Sequence, residues 1–143
     1  MTVFPHAGGC HCGALRWNFE TAQALVAFTP RACDCDYCMR HGAAWVSDPA
    51  GRLRLRAAGG KLQRYQQGSG QAEFLSCRDC GVLVAVVAHS SDGRLLGAAN
   101  RNAFDDRASF SEQALVSPQQ LAPDAKLARW TQLWTPVELA NGN

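Results

Sequence analysis

Seven cysteines in three tight clusters constrain this 143-residue chain more than any other feature: Cys10-x-Cys12, Cys33-x-Cys35-x-x-Cys38 and Cys77-x-x-Cys80. Each spacing brings thiolates close enough to share one metal ion, and no cysteine stands outside a cluster. A disulfide scaffold would carry an even number of cysteines in a secreted chain, often shorter than about 100 residues. Here the count is odd, so the pattern reads as zinc.

The rest of the composition narrows the class. Met1 to Gly9 holds no Lys or Arg and no apolar run of signal-peptide length. The longest apolar stretch, Val82 to Ala88, is far short of the roughly 20 residues that cross a bilayer. A cytoplasmic protein with reduced thiols and no membrane partner is the expectation. The length suits one domain over residues 1–143, with 47% hydrophobic and 18% charged residues giving an ordinary globular balance. The net charge of +2, without a basic block, argues against nucleic acid as a partner.

The pattern along the chain is mainly β. Leu15, Trp17 and Phe19 alternate with Arg16, Asn18 and Glu20, which predicts a half-buried strand over Ala14 to Glu20. Leu53 and Leu55 alternate with Arg52, Arg54 and Arg56 in the same way, and Gly59-Gly60 turns that strand towards another at Lys61 to Gln66. Further strands are expected at Glu73 to Ser76, at Val82 to Ala88 as a central strand buried on both faces, and at about Leu95 to Ala99. No convincing long helix is visible. Ser117 with Pro118 reads as the start of a short helix to about Leu121, and Trp130 and Trp134, four apart, read as packing residues.

Two closed tetrahedral sites need eight ligands, so seven thiolates imply one closed site and one open one. Cys10, Cys12, Cys77 and Cys80 come from distant segments, and together they make a structural four-cysteine zinc site. Zinc binding at such a site releases on the order of 10 to 16 kcal/mol, comparable with the whole stability of a small domain. Cys33, Cys35 and Cys38 lie within six residues and staple nothing distant. A metal held by three protein ligands keeps a position for water or substrate, as catalytic zinc does. Two alternatives stay open: the middle cysteines share the structural site, or His11, His41 or His89 completes a second structural zinc.

The motifs Gly9-Cys10-His11-Cys12-Gly13, Cys33-Asp34-Cys35-Asp36-Tyr37-Cys38-Met39-Arg40, and Phe74 with Cys77-Arg78-Asp79-Cys80-Gly81 resemble the glutathione-dependent formaldehyde-activating enzyme family, the CENP-V/GFA domain. The resemblance is strongest over residues 8–88. It implies a β-tent of antiparallel sheets with few short helices, a structural zinc on Cys10, Cys12, Cys77 and Cys80, and a catalytic zinc on Cys33, Cys35 and Cys38. The implied reaction condenses glutathione with formaldehyde to S-hydroxymethylglutathione, a carbon–sulfur lyase activity. Two features depart from the family: the acidic pair Asp34 and Asp36, and the segment Gly97 to Asn102.

Zinc with three thiolates carries a net charge of minus one, which a nearby cation would balance, and Arg40 and His41 are best placed in sequence. His41 is also a candidate proton carrier. Arg52, Arg54 and Arg56 read as a solvated strand face rather than a carboxylate site, and Trp45 and Tyr37 as packing beside the metal loop. Two zinc ions per chain are expected, the three-ligand one the more labile. The contrasting reading is a non-enzymatic β-tent zinc module that binds a protein or small thiol.

Overall fold

The computed structural model describes residues 3–141. The strands, in chain order, are β1 (Phe4–Gly9), β2 (Leu15–Thr21), β3 (Arg31–Cys33), β4 (Ala44–Val46), β5 (Arg52–Ala57), β6 (Leu62–Tyr65), β7 (Glu73–Cys77), β8 (Leu83–His89), β9 (Leu95–Asn100), β10 (Ala114–Val116) and β11 (Thr135–Asn141). Two α-helices stand among them, α1 (Asp36–His41) and α2 (Pro123–Leu133), with four single turns of 3₁₀ helix. The fold is therefore mainly β.

The strands form a branched sheet with two arms. One arm is the antiparallel set β1-β2-β5, to which β11 adds in parallel, Val137 opposite Leu53. The other arm is the meander β6-β7-β8-β9, continued through β4 and β3 to β10. The arms meet where β11 crosses between them: Thr135 and Pro136 pair with Gly97 and Leu96 of β9, and the rest of β11 pairs with β5. Gly97 is required at that crossing, because a Cβ there would stand 2.4 Å from the Val86 carbonyl oxygen and 2.9 Å from Val137.

The alternation read from the sequence is the burial pattern observed. Leu15, Trp17 and Phe19 are buried on β2, as are Leu53 and Leu55 on β5, while the arginines of β5 face outward. These arginines are engaged by acids: Arg54 pairs with Glu20 and Glu138, and Arg52 with Glu138. The Trp17 indole N–H donates to the Val84 carbonyl oxygen at 3.2 Å, tying one arm to the other across the core. β8 is flanked by β7 and β9 and buried over Leu83 to Ala88, so Val84 and Val87 enter the core of Trp17 while Val86 and Ala88 enter a second core around Trp45 and Phe74. The three cysteines of the middle cluster belong to that second core.

Two expectations are corrected. The sheets are mixed rather than wholly antiparallel, since β11 with β5 and β10 with β3 run parallel. An 11-residue helix, α2, occupies a region in which no long helix was expected. Its N-terminus has Pro123 at the first position but Ala122 at the cap, without a capping side chain, and no residue of the helix is fully buried. Neither signal that marks a helix in sequence, a polar cap or a buried apolar stripe, is therefore present. The short turn Pro118–Gln120 forms as expected, but Ser117 does not cap it; its hydroxyl donates to the Asp34 carboxylate instead, at 2.5 Å.

Candidate metal centres

The first cysteine group joins two hairpin turns. Cys10 and Cys12 lie in the β1–β2 turn, Cys77 ends β7, and Cys80 lies in the β7–β8 turn. Backbone pairing brings each chain back on itself: Cys10 N–H donates to the Leu15 carbonyl, and Cys77 N–H to that of Val82. Gly81, at φ +79°, supplies the left-handed residue that the second turn needs. Backbone N–H groups also point at sulfur, from Leu15 to Cys10 at 3.2 Å and from Asp79 to Cys77 at 3.4 Å. Such donors fix ligand orientation and favour thiolate.

The four sulfurs lie within 4.8 Å of one another. Cys12 stands 3.7 Å from Cys10 and 3.6 Å from Cys77. A tetrahedron with zinc–sulfur bonds of about 2.3 Å has sulfur–sulfur edges of about 3.8 Å, so the group fits that ion. The separations are far too long for disulfides, and all seven cysteines are free.

In the second group, Cys33 ends β3, Cys35 is the N-cap residue of α1, and Cys38 lies in the first turn of that helix. The Cys35 sulfur accepts the Cys38 backbone N–H at 3.4 Å, so the ligand also caps the helix. Gly42, at φ +61°, ends α1 and donates to the Cys38 and Met39 carbonyls. The loop is clamped from behind at Asp34: its N–H donates to the Val116 carbonyl, and its carboxylate accepts from Ser117 and, at 3.1 Å, from Gln119. Asp34, one of the two unusual acids, therefore binds the loop to the segment after β10. The other, Asp36, pairs with Arg40 on the helix surface at 3.0 Å.

All three sulfurs lie within 4.8 Å of one another and are buried. Among the described residues no histidine or carboxylate completes either group to a larger one. The groups are therefore four and three, and both offer a sulfur donor set compatible with zinc.

Without a cation the thiols of each group compete for protons. Donation from the Cys38 thiol brings Cys33 down to about 6, while that same contact and burial push Cys38 far up. Burial pushes Cys35 up as well. In the first group, burial pushes Cys80 up but is outweighed by donation from the Val82 and Cys12 backbone and the neighbouring thiols, which bring it down to about 6. The Ala14 N–H draws Cys12 down, yet the adjoining thiolates, Cys77 foremost, push it up to about 12. Opposed shifts within each group are what crowded thiolates produce, and a divalent ion would remove the conflict by deprotonating them all.

The surroundings separate the two groups. A cavity of about 230 Å³ opens beside Cys33, Cys35 and Cys38, and none of the other four cysteines lines it. One wall is apolar, from Trp45, Phe74, Val86 and Trp134. Trp130 stacks on Trp134 at 4.4 Å between ring centroids, so this pair from α2 and its end faces the cavity as well as packing. Gln67, between β6 and β7, places its amide nitrogen 3.9 Å from the Cys35 sulfur. Arg31, Lys126 and Arg129 also line the space.

Arg40 and His41 do not line it. Arg40 is exposed in its pair with Asp36, and His41 is exposed and stacks on Tyr37 at 4.7 Å. Tyr37 in turn packs on Phe74, behind the cavity wall, whereas Trp45 reaches the cavity itself. His11 and His89 are exposed and join neither group. Sequence reasoning passed over Arg31, although its position was legible: two residues before Cys33 on a strand, it shares that cysteine's face. The contributions of Gln67 and α2 depend on tertiary contacts with no local signal.

Comparison with known proteins agrees with this architecture. A family model described as glutathione-dependent formaldehyde-activating enzyme matches residues 5–129, extending on both sides of the segment that carries the motifs. A crystal structure of a Rhodobacter sphaeroides protein, solved as a structural genomics target, is similar at 27% identity with a TM-score of 0.54, over 69% of this chain and 87% of that one.

Proposed function

This chain belongs to the family of glutathione-dependent formaldehyde-activating enzymes, and from that premise we propose that it joins a small thiol, glutathione foremost, to formaldehyde at the Cys33, Cys35 and Cys38 site. The product is an S-hydroxymethyl adduct: the thiol sulfur bonds to the carbonyl carbon, and the thiol proton ends on the former carbonyl oxygen. Run in either direction, this is carbon–sulfur lyase chemistry.

The observation that carries the reading is that three buried thiols of one loop open on a cavity, while the other four close on one another. Zinc held by Cys33, Cys35 and Cys38 would supply a Lewis-acidic position with room for a fourth ligand, at which a substrate thiol ionises readily. The Asp34 clamp and the α1 cap hold the three sulfurs in register. Trp45, Phe74 and Trp134 give the site an apolar wall. The Gln67 amide is placed to donate to sulfur in the cavity. Arg40 and His41 stand outside the cavity, and the reaction as written does not need them at the reacting atoms.

Cys10, Cys12, Cys77 and Cys80 take the structural role, holding two distant hairpins together around a second zinc. Free thiols throughout suit a reducing, cytoplasmic setting. No helix among the described residues is long and apolar enough to cross a membrane.

The test combines metal content with turnover in one preparation. Two zinc ions per chain, with formaldehyde consumption that depends on glutathione, are expected. Two zinc ions with neither turnover nor any effect of glutathione would favour a zinc module that only binds a partner.

A further inference from the structure

The cavity holds cations with which no carboxylate among the described residues pairs. Arg31 is half-buried, and its guanidinium is a cation at neutral pH. Of its five N–H donors, one bond is formed among the described residues, from Nη2 to the Ser47 hydroxyl at 2.6 Å. Ser47 is itself held by donating to the Leu133 carbonyl at 2.6 Å, at the end of α2. No carboxylate pairs with Arg31, Lys126 or Arg129 among the described residues, although eight other ion pairs are formed. The one acid that lines the cavity, Asp36, is taken by Arg40.

A guanidinium held in a half-buried position with most donors unused costs desolvation energy that a ligand anion would recover. Its location is informative. Arg31 and Cys33 alternate onto one face of β3, their Cα atoms about 6.6 Å apart, and both line the same cavity. A ligand whose sulfur lies at the three cysteines therefore has a planar, bidentate carboxylate receptor within a few bonds' reach.

We propose that Arg31 is a specificity-determining residue that binds a carboxylate of the thiol substrate, with Lys126 and Arg129 adding positive charge from α2. The substrate class is then a small thiol that bears a carboxylate, rather than any small thiol. This rests on the reading of the three-cysteine site as a thiol site. Glutathione belongs to the class, its diethyl ester does not, and both present the same sulfur.

The experiment titrates the zinc-loaded chain with glutathione, glutathione diethyl ester and 2-mercaptoethanol. Binding is followed by calorimetry and by the fluorescence of the cavity tryptophans, and turnover with formaldehyde is measured in parallel. Wild type is expected to bind glutathione about 10- to 100-fold more tightly than the diester, the range of a charge-assisted hydrogen-bonded pair. Arg31→Gln should bring that ratio close to one while leaving diester binding unchanged, and Arg31→Lys should restore part of it. Unaltered thermal unfolding and zinc content would show that the variants fold.

Equal affinity of wild type for glutathione and its diester overturns carboxylate recognition and leaves the thiol site standing. Equal loss of both ligands in Arg31→Gln also overturns it, since that is the mark of a merely structural arginine. Failure of all three thiols to bind wild type overturns the thiol site itself, and the proposal with it.

Discussion

The two cysteine groups use the same ligand and opposite architectures. Cys10, Cys12, Cys77 and Cys80 bridge turns 65 residues apart, and their sulfurs face one another without lining the cavity. Cys33, Cys35 and Cys38 belong to a single strand-to-helix turn, and their sulfurs face a cavity. The difference teaches that ligand spacing along the chain sets what a metal does for the fold. An ion that closes a long loop contributes to global stability, whereas one within a local turn orders little beyond it. Under the proposed function, the local site keeps a ligand position for chemistry.

The strongest way to break this comparison is Cys77→Ser. The residue is buried between β7 and the turn, and its loss should remove the metal and most soluble, folded protein, because the site contributes on the order of 10 kcal/mol. Circular dichroism and zinc content of the purified variant check it. Survival of a cooperatively folded chain would mean that the long-range group is not the staple.

Cys35→Ser should have a smaller and different effect. One zinc per chain is lost and turnover stops, while the melting temperature falls by no more than about 5 °C. If this variant unfolds as completely as Cys77→Ser, the two groups do not divide the labour. The smallest effect is expected for Arg40→Ala, which removes an exposed ion pair with Asp36 worth less than about 0.5 kcal/mol. Its turnover should stay within about twofold of wild type. A large loss in kcat would bring Arg40 into the reaction despite its outward position.

Legibility in the sequence followed the range of the determining contacts. β2 and β5 were readable because a half-buried strand writes its two faces as alternation, as Leu15, Trp17 and Phe19 do. β8 was readable as an unbroken valine-rich run covered on both faces. β1 was not, since Pro5, Gly8 and Gly9 carry poor strand propensity and are held there by pairing with β2. Gly8 is itself dictated by tertiary packing, because a Cβ there would meet the Trp17 ring at 2.5 Å. β11 is likewise a strand because β5 and β9 offer it edges.

The same distinction runs through the site. Thiol spacing marked the clusters within which cysteines could share a metal, while the joining of Cys10 and Cys12 with Cys77 and Cys80 depends on two distant hairpin turns meeting in the fold. Proximity in sequence suggested Arg40 and His41 as the neighbouring charges. The helix turn carries both outward, and the cations that line the cavity come from β3 and from α2, nearly 100 residues further on. Linear distance is a poor guide to charge once the chain has folded back.

The crossing of β11 between the two arms has a consequence for the order of assembly. Val137 pairs with Leu53, and α2 hangs from the same segment, so this part of the structure closes by long-range contacts. Such contacts form late, because their loop entropy must be met before they return any stability. A nascent chain that has emerged as far as Val116 already contains every cysteine and both cysteine groups, but lacks the helix that walls the cavity. The three-cysteine group is therefore complete while its α2 side is still open, and the cavity beside it is closed only afterwards.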